Sequence, residues 1–339
     1  MNDKERTATY NSHILKNSRT RLEDVIPLSA PYTVLIEVSR LCNLRCGFCP
    51  QSARNKFTFF ENNLMSVADF NKIAGQMKEF PQKLKKVYMH GTGESLMNQR
   101  LPDMIRHLKN ESLSESVDLT SNGTLLSPEM SQRLLDAGLD HLHISIEALS
   151  AEGYKNIAGA DNFDFDSFVE NIRFFFSIKK NCRLTIKVAD VSIKTDTDKE
   201  LFLEKFSKLC DEIFIENIFP IWPGFDFPFS CQTNTQGQYG QSIIEKNVCP
   251  QIFTNLAVKC NGDISPCSMD WDNKICLGNI HQNTLFEAWK GEKLKALRLE
   301  HLRYGRHTVS LCSGCGLPKY SCIDNIDSFR EAIIADGLY

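Results

Sequence analysis

The sequence contains no long apolar segment and no excess of positive charge. None of its 339 residues belong to a run of 18 or more apolar residues, so no membrane-spanning helix is expected. The formal net charge of −3 argues against a protein that binds nucleic acid through bulk electrostatics. No internal repeat or low-complexity tract is evident. What remains is a globular composition, with 42% hydrophobic and 24% charged residues.

A secretion signal is also missing. The first residues, Met1 to Arg6, are polar and of mixed charge, without the apolar core of a signal peptide. The 13 cysteines therefore do not suggest a disulfide framework. They indicate metal or redox chemistry in a reducing compartment, and we expect a cytoplasmic protein.

From Tyr32 onward, strand-like and helix-like segments alternate. The strand candidates are Thr33–Ser39, Lys86–His90, Ser116–Ser121, His141–Ile146, Leu184–Val191 and Glu212–Glu216. The helix candidates between them are Ser66–Glu79, Leu101–Asn110, Pro128–Ala137, Phe165–Ser177 and Asp198–Leu209. Repeated βα units predict a parallel sheet with right-handed crossovers. We therefore expect an α/β fold, a partial (βα)6 TIM-like barrel, followed by a small Cys-rich domain.

The composition suggests where this organisation changes. Residues 218–248 are rich in Pro, Phe, Gly, Gln and Asn and interrupt the alternation. The predicted order is an N-terminal extension (1–30), the barrel (31–217), a linker or mouth loop (218–248), an auxiliary Cys-rich domain (249–322) and a C-terminal tail (323–339).

Three cysteines lie close together just after the first predicted strand. Cys42, Cys46 and Cys49 follow a Cys-x3-Cys-x2-Cys spacing. Three thiolates in one short loop can hold three irons of a [4Fe–4S] cluster and leave the fourth iron open to a small molecule. A structural zinc site needs four ligands, and a disulfide needs an oxidising compartment. In βα barrels, chemistry collects at the C-terminal ends of the strands, where this loop is expected.

This loop resembles the signature of the radical S-adenosylmethionine (SAM) superfamily, and the resemblance extends over roughly residues 26–322. It implies an enzyme in which one electron, from a flavodoxin- or ferredoxin-type donor, reaches the cluster. SAM is then cleaved to a 5′-deoxyadenosyl radical, which removes a hydrogen atom from a substrate. Phe48, the aromatic residue before the last cysteine, is expected to lie at the cofactor.

The resemblance also implies which residues contact SAM. The Gly91-Thr92-Gly93-Glu94 segment matches the element that binds the SAM amino group, and Ser121-Asn122-Gly123 matches a turn near the ribose. Taken alone, either segment could be an ordinary Gly or Asn-Gly turn. On the next strand, Ser145 and Glu147 match an element that contacts the SAM hydroxyls.

Two features of the later strands leave alternatives open. Family members often carry an Arg for the SAM carboxylate where this chain has Ala158, and Lys187 is the candidate replacement. Lys187 could equally be an edge residue that points to solvent. His141 and His143 share one face of their strand and could be ligands or bases, although hydrogen-bonded core histidines are the more common case.

A second set of cysteines lies near the end of the chain. The order of Cys249, Cys267, Cys312 and Cys315 resembles the SPASM/twitch auxiliary domain, with a layout similar to 2-deoxy-scyllo-inosamine dehydrogenase-like enzymes. It implies one auxiliary [4Fe–4S] cluster, hence two clusters in all. The same residues could form a four-thiolate zinc site. Cys260 and Cys322 could substitute for a ligand or add one.

The substrate is predicted only by class. The segment before Thr33 is short for a leader-peptide domain, which favours a small molecule of the sugar or cyclitol class: a polyol, an amino sugar or a nucleotide-linked sugar. We expect a net oxidation in natural-product or glycan biosynthesis. A peptide or protein maturase, of the sulfatase-maturase or sactipeptide type, is the alternative. An iron–sulfur carrier would need no SAM segment. Glu216, at the end of the sixth strand, and Trp222, in the mouth loop, are candidates to face the substrate. Glu216 could equally be a solvated loop carboxylate, and Trp222 a packing residue that covers the open side of the barrel.

Overall fold

The computed structural model describes residues 7–11, 19–56, 63–230 and 235–335. Within these ranges, no helix is both long enough and apolar enough to span a membrane. The described part of the chain forms one continuous sheet with helices packed against it. This arrangement brings the C-terminal ends of the parallel strands to one end of the molecule.

Ten strands make up the sheet in the order β1-β7-β6-β5-β4-β3-β2-β8-β9-β10. Their bounds are β1 Thr9–Tyr10, β2 Thr33–Ile36, β3 Leu84–Met89, β4 Ser114–Ser121, β5 His141–Ile146, β6 Arg183–Ala189, β7 Glu212–Glu216, β8 Asn255–Val258, β9 Asp263–Ser265 and β10 Gly278–Asn279. Strands β1 to β8 pair in parallel, and β9 and β10 are antiparallel additions.

The helices pack against one side of the parallel strands, and those after residue 250 lie in the C-terminal part. They are α1 Val67–Met77, α2 Leu101–Asn110, α3 Pro128–Asp136, α4 Ala151–Ala158, α5 Phe165–Ile178, α6 Asp196–Phe206, α7 Gln251–Thr254, α8 Leu285–Lys290, α9 Glu292–Tyr304, α10 Ser310–Ser313, α11 Leu317–Tyr320 and α12 Arg330–Ala335. Side-chain caps set several starts. Ser66 accepts a hydrogen bond from Asp69 N, and Ser127 accepts one from Met130 N.

The predicted α/β fold with six parallel βα strands, β2 to β7, is confirmed. The predicted helices are present, with ends shifted by a few residues. Strands β3 and β4 begin two residues earlier than predicted, because Leu84 pairs with Ser114 across the sheet. Helix α4 was not predicted, although Ser150 caps its start and Gly159 ends it in the left-handed conformation, with φ of 62°.

Both edges of the six-stranded sheet are covered by chain from outside the predicted barrel. Strand β1, in the predicted N-terminal extension, pairs with β7, while β8, from the Cys-rich segment, pairs with β2. Unpaired parallel edges would leave backbone groups exposed. The predicted tail includes α12, where Arg330 donates to the carbonyl of Leu302 in α9. The barrel and the C-terminal part therefore share one sheet.

The two faces of the parallel strands differ in polarity. The helix-facing side is apolar and belongs to the main core, with Val87, Met89, Val117, Leu119, Leu142, Ile144, Ile186 and Val188. The opposite, concave side is polar, with Lys86, Tyr88, Asp118, Thr120, His141, His143, Thr185 and Lys187. These polar side chains contact one another across strands, as in the bond between Tyr88 Oη and Thr120 Oγ1. A polar interior of this kind is suited to binding a polar ligand.

Candidate active site

The cysteine loop is held in place by the ends of neighbouring elements. Arg45 N donates to the carbonyl of Ala158, and Gly47 N donates to that of Ile157, which ties the loop to the end of α4. From the other side, Glu94 N donates to the carbonyl of Leu41 at 2.7 Å. The loop is therefore fixed at the C-terminal end of the barrel strands, as the sequence predicts.

The donor set of the loop fits an iron–sulfur cluster. Burial raises the pKa of the Cys46 thiol well above its usual value, and the charges of Glu147, Cys49 and Cys42 raise it further. Sulfurs that repel one another as thiolates are stabilised together by bound metal cations. Two N–H groups already point at Cys42 Sγ, Leu44 N at 3.4 Å and Asn122 Nδ2 at 3.9 Å. The assignment of Cys42, Cys46 and Cys49 as ligands stays a proposal.

The segment after β3 packs against the start of the cysteine loop. A Cβ on Gly91 would lie 2.4 Å from Glu37 Cγ, and one on Gly93 would lie 2.3 Å from the carbonyl oxygen of Ser39. Only glycine allows the approach of the two backbones at Gly93 and the approach to the Glu37 side chain at Gly91. Thr92 Oγ1 donates to Glu37 Oε1 at 2.7 Å, so this hydroxyl anchors the end of β2.

The Glu94 side chain joins the ends of β3 and β4. Its carboxylate accepts hydrogen bonds from Ser121 Oγ at 2.8 Å, Asn122 N at 2.7 Å and Leu96 N at 2.8 Å. Burial raises the pKa of Glu94, while these bonds oppose the rise. Two predicted SAM contacts, Glu94 and Ser121, therefore bind each other. Their direct contact with SAM stays a prediction, and their bonds to each other position the segment.

Asn122 links the end of β4 to the cysteine loop. Its Nδ2 donates to Asn43 Oδ1 at 3.0 Å and lies near Cys42 Sγ, and its Oδ1 accepts from Thr124 N at 3.0 Å. The following Gly123 has a φ of 73°, the left-handed region that favours glycine. The predicted Asn-Gly turn is present, beside the predicted cluster ligands.

Charged groups converge at the ends of β5, β6 and β7. Burial raises the pKa of Glu147 to about 7, while Lys187 and a hydrogen bond with Cys46 lower it. Ser145 pairs in register with Lys187 on the next strand. Lys187 Nζ lies 2.5 Å from Glu216 Oε2, so the ammonium is inside the barrel and is not an edge group in solvent. A SAM carboxylate at Lys187 would have to share it with Glu216.

The segment predicted as a mouth loop covers the open end of the barrel. Gln238 Nε2 donates to Glu216 Oε1 at 3.0 Å, and Tyr239 packs on Phe214 with ring centroids 6.4 Å apart. Phe48 packs on Phe229 with centroids 6.2 Å apart, which covers the cysteine loop. Glu216 therefore contacts Lys187 and Gln238 at the end of the barrel, and its contact with a substrate stays a prediction. Gln238 and Tyr239 were missed, because nothing in the sequence indicates where a long loop folds back.

A buried charge cluster at the end of β2 was also missed. Arg40 is fully buried and lies 3.4 Å from Glu37 Oε2, and it donates to the carbonyl of Trp271. Burial favours the neutral acid, but Lys259, Arg40 and Thr92 together keep the pKa of Glu37 below its usual value. The signal was available in the sequence, because Glu37 and Arg40 lie on either side of Val38 and Ser39 at the end of an apolar strand. These bonds join the cysteine loop to the C-terminal part.

The C-terminal cysteines form a second group of five. Burial raises the pKa of the Cys249 thiol well above its usual value, and the nearby charges of Cys322, Cys267 and Cys315 raise it further. Burial and then the charge of Cys267 raise the pKa of the Cys312 thiol, so these two are close enough to interact electrostatically. The predicted ligands Cys249, Cys267, Cys312 and Cys315 are thus brought together with Cys322. Cys260 lies elsewhere, where the charges of Glu37, Arg40 and Lys259 influence the pKa of its thiol. A buried group of thiols fits a bound metal cluster, and its ligand assignment stays a proposal.

Comparisons with protein families match both parts of this arrangement. A model described as the radical SAM superfamily matches residues 36–202. A second model, described as the SPASM iron–sulfur cluster-binding domain, matches residues 249–316. The first three cysteines lie inside the first match, and four of the five C-terminal ones lie inside the second.

Among curated proteins, a probable GTP 3′,8-cyclase from Methanococcus maripaludis is 31% identical over 161 residues, which are 48% of this chain and 48% of that protein. The chain thus matches about half the length of this relative. Among solved structures, BtrN in complex with AdoMet and 2-DOIA covers 84% of this chain and 93% of its own, with 17% identity and a TM-score of 0.53. SuiB of Streptococcus suis, bound to its precursor peptide SuiA, covers 91% and 75%, with 16% identity and a TM-score of 0.64. These structures support the fold.

Proposed function

The chain is a radical SAM enzyme with a C-terminal SPASM iron–sulfur domain, and we propose that it removes a hydrogen atom from a small, hydroxylated substrate of low charge, of the sugar or cyclitol class. When bound, the SAM at its cluster supplies the radical that abstracts hydrogen. The contribution of the chain is to bind, orient and enclose the substrate in the polar interior of the barrel.

The pairing of charges in that interior supports this substrate class most directly. Lys187 is paired with Glu216, and Lys86 with Asp118, each at 2.5 Å. Each of these cations already has a carboxylate partner, so a ligand with several negative charges would have to break ion pairs to bind. Hydroxyl groups can instead hydrogen-bond to the paired groups.

The interior also offers neutral hydrogen-bonding groups at the depth of the Lys187–Glu216 pair. The pKa of Tyr88 is raised by burial, and its hydroxyl bonds Thr120. Burial and Lys187 lower the pKa of His90 to about 4, so its imidazole is neutral at pH 7. Gln238 adds an amide above Glu216. Hydroxyl, neutral imidazole and amide groups can each donate and accept hydrogen bonds, so together they can bind the hydroxyls of a polyol.

We further propose one auxiliary [4Fe–4S] cluster held by Cys249, Cys267, Cys312 and Cys315. A cluster in which each iron has a protein ligand has no open site for substrate. It is suited to accept an electron, which favours a net two-electron oxidation of the substrate, such as alcohol to ketone. A flavodoxin- or ferredoxin-type protein is the proposed donor for the first cluster.

A nucleotide substrate is the second candidate. The observation in its favour is the 31% identity, over 161 residues, to a probable GTP 3′,8-cyclase. That stretch is about half the relative's length, and the substrate of the whole relative transfers to this chain only as a hypothesis. A peptide is the third candidate substrate, because SuiB, which was solved with its precursor peptide, shares the fold. The experiment must therefore distinguish all three substrate classes.

The deciding experiment measures 5′-deoxyadenosine formed by anaerobically reconstituted enzyme with SAM and a reductant. Three panels are compared with the substrate-free background: neutral cyclitols and amino sugars, GTP, and short peptides containing Ser or Cys. We expect stimulation by the first panel, with transfer of deuterium from a carbon-deuterated substrate into 5′-deoxyadenosine. Stimulation by GTP alone, or by peptides alone, would reverse the proposal.

Matched variants separate substrate binding from SAM cleavage. Glu216→Gln should raise KM for the substrate about tenfold, the effect of losing roughly 1.4 kcal/mol of binding, while background SAM cleavage persists. Glu204→Gln, an exposed position on α6, is the control. Cys42→Ala should abolish both activities. Equal KM values for the two glutamate variants would remove Glu216 from the substrate site.

A further inference from the structure

Three buried donor side chains meet in the barrel interior, away from both cysteine groups. Asp118 Oδ2 lies 3.7 Å from His141 Nδ1 and 3.6 Å from His143 Nε2, and the three donor atoms lie within 4.8 Å of one another. Asp118 is 1% exposed, His141 7% and His143 3%. The three side chains are therefore enclosed by protein and closely grouped.

Strand register accounts for this meeting. Asp118 of β4 pairs with His141 of β5, and the two-residue period of a strand places His143 on the same face. Glu147 lies four residues beyond His143 and contacts Cys46. Four strand residues span about 13 Å. The group is thus separated along β5 from the cluster at the barrel mouth.

Hydrogen bonding fixes which nitrogen of His141 carries the proton. Thr185 Oγ1 donates to Glu212 Oε2 at 3.1 Å, because a carboxylate only accepts. His141 Nε2, 2.8 Å from the same hydroxyl, must then be the donor. With its proton on Nε2, the neutral ring holds a lone pair on Nδ1.

This assignment brings two acceptors face to face. His141 Nδ1, which carries a lone pair, lies 3.7 Å from Asp118 Oδ2, a carboxylate oxygen that is also an acceptor. A lone pair and a carboxylate oxygen repel unless a positive charge lies between them. Ligand atoms around a tetrahedral zinc ion are about 3.4 Å apart, close to the observed separations.

We propose that Asp118, His141 and His143 bind a divalent transition-metal ion, with zinc the best match for two imidazoles and one carboxylate. Thr185 and Glu212 complete the arrangement by orienting His141, as outer partners of metal-bound histidines do. Lys86 Nζ now lies 2.5 Å from Asp118 Oδ2 and competes with the metal for that oxygen. Its side chain is 32% exposed, so it can turn to solvent when a metal binds.

The test uses full-length protein whose cysteine sites have first been filled by iron–sulfur reconstitution. Zinc is then added, and metal per chain is measured after gel filtration by elemental analysis. The wild-type chain should retain about one zinc beyond its iron, the single site proposed here. Asp118→Asn and His143→Gln should lose it. Thr185→Val, which alters only the outer partner, should weaken binding by about 10- to 100-fold.

Cobalt distinguishes this site from residual thiols. Cobalt bound by nitrogen and oxygen gives weak visible bands, whereas cobalt bound to cysteine adds a sulfur charge-transfer band in the near ultraviolet. We expect weak visible bands and no sulfur charge-transfer band. Zinc retained equally by wild type and Asp118→Asn, or a sulfur band in the spectrum, would overturn the proposal.

If Asp118→Asn or His143→Gln fails to fold, the Lys86→Met variant still tests the proposal. Removing the competing ammonium should tighten zinc binding at least tenfold, since a buried carboxylate left without its partner gains a cation. A merely structural Lys86–Asp118 pair predicts no uptake in this variant. No zinc in either wild type or Lys86→Met would refute the site.

Discussion

Single residues at the barrel mouth have roles that depend on space rather than on charge. Gly91 and Gly93 pass so close to Glu37 and to the Ser39 carbonyl that any side chain would collide with them. The sequence indicates glycine here through its resemblance to the SAM-binding segment. It does not show that the crowding comes from the start of the cysteine loop, because that contact joins residues far apart in the chain.

Replacement of Gly93 by Ala should therefore disturb the cysteine loop. We expect a loss of about 1–3 kcal/mol in unfolding free energy, as for an overpacked core position, and weaker SAM binding. The matched control is Gly75→Ala on α1, where a Cβ meets nothing within 4 Å. That change should stabilise the protein by about 0.5–1 kcal/mol. Urea unfolding and calorimetric titration with SAM measure both effects, and equal behaviour of the two variants would contradict the packing argument.

Lys187 shows the limit of residue-level prediction. Its apolar strand context predicted correctly that the charge needs a partner. The partner within the chain is Glu216 on β7, which the sequence offered only as a residue facing substrate. A SAM molecule and Glu216 would meet at the same ammonium.

At the scale of elements, strand ends are coupled to one another by side chains. Glu94 binds the start of the Ser121–Gly123 turn, and Asn122 in turn reaches the cysteine loop. Periodicity predicted the strands well, since a parallel strand buried on one side alternates strongly. It could not predict that β3 and β4 begin earlier, because strand length depends on the pairing of both partners.

Glu94→Gln should loosen this coupling. An amide presents only one acceptor oxygen, so one of the three donors to Glu94 faces an N–H group instead. We expect a loss of about 1–3 kcal/mol in unfolding free energy and weaker SAM binding. Glu129→Gln, exposed on α3, is the control and should change neither. Chemical unfolding and SAM titration provide the readouts, and unchanged SAM affinity in Glu94→Gln would show that the coupling is unimportant.

For the whole molecule, the central feature is that one sheet runs through both matched domains. Strand β8 pairs with β2, and Arg40 connects the cysteine loop with Trp271. The predicted boundary at residues 248 and 249 therefore separates two segments of sequence that build a common structure. A composition change marks a change in local pattern, and it carries no information about which strands pair.

A chain shortened to residues 1–248 should consequently aggregate and bind less iron than the full chain. Loss of β8 exposes the backbone edge of β2, and exposed edges promote association. We expect aggregates in size-exclusion chromatography where the full chain gives a defined peak, and reduced iron at Cys42, Cys46 and Cys49 after reconstitution. A monodisperse fragment with a full SAM-binding cluster would show that the two parts are independent.

The sequence by itself predicted which residues carry the chemistry at the barrel mouth. Cys42, Cys46 and Cys49 lie within eight residues, and the segments at Gly91 and Ser121 follow strands whose ends must meet. Their resemblance to family elements, added to this spacing, was what suggested a SAM site. Only the tertiary structure decided that Cys322 joins the second thiol group, that Gln238 covers Glu216 and that Asp118 faces two histidines. Each of these contacts depends on strand register or on the path of a long loop, and neither is encoded in the neighbouring residues.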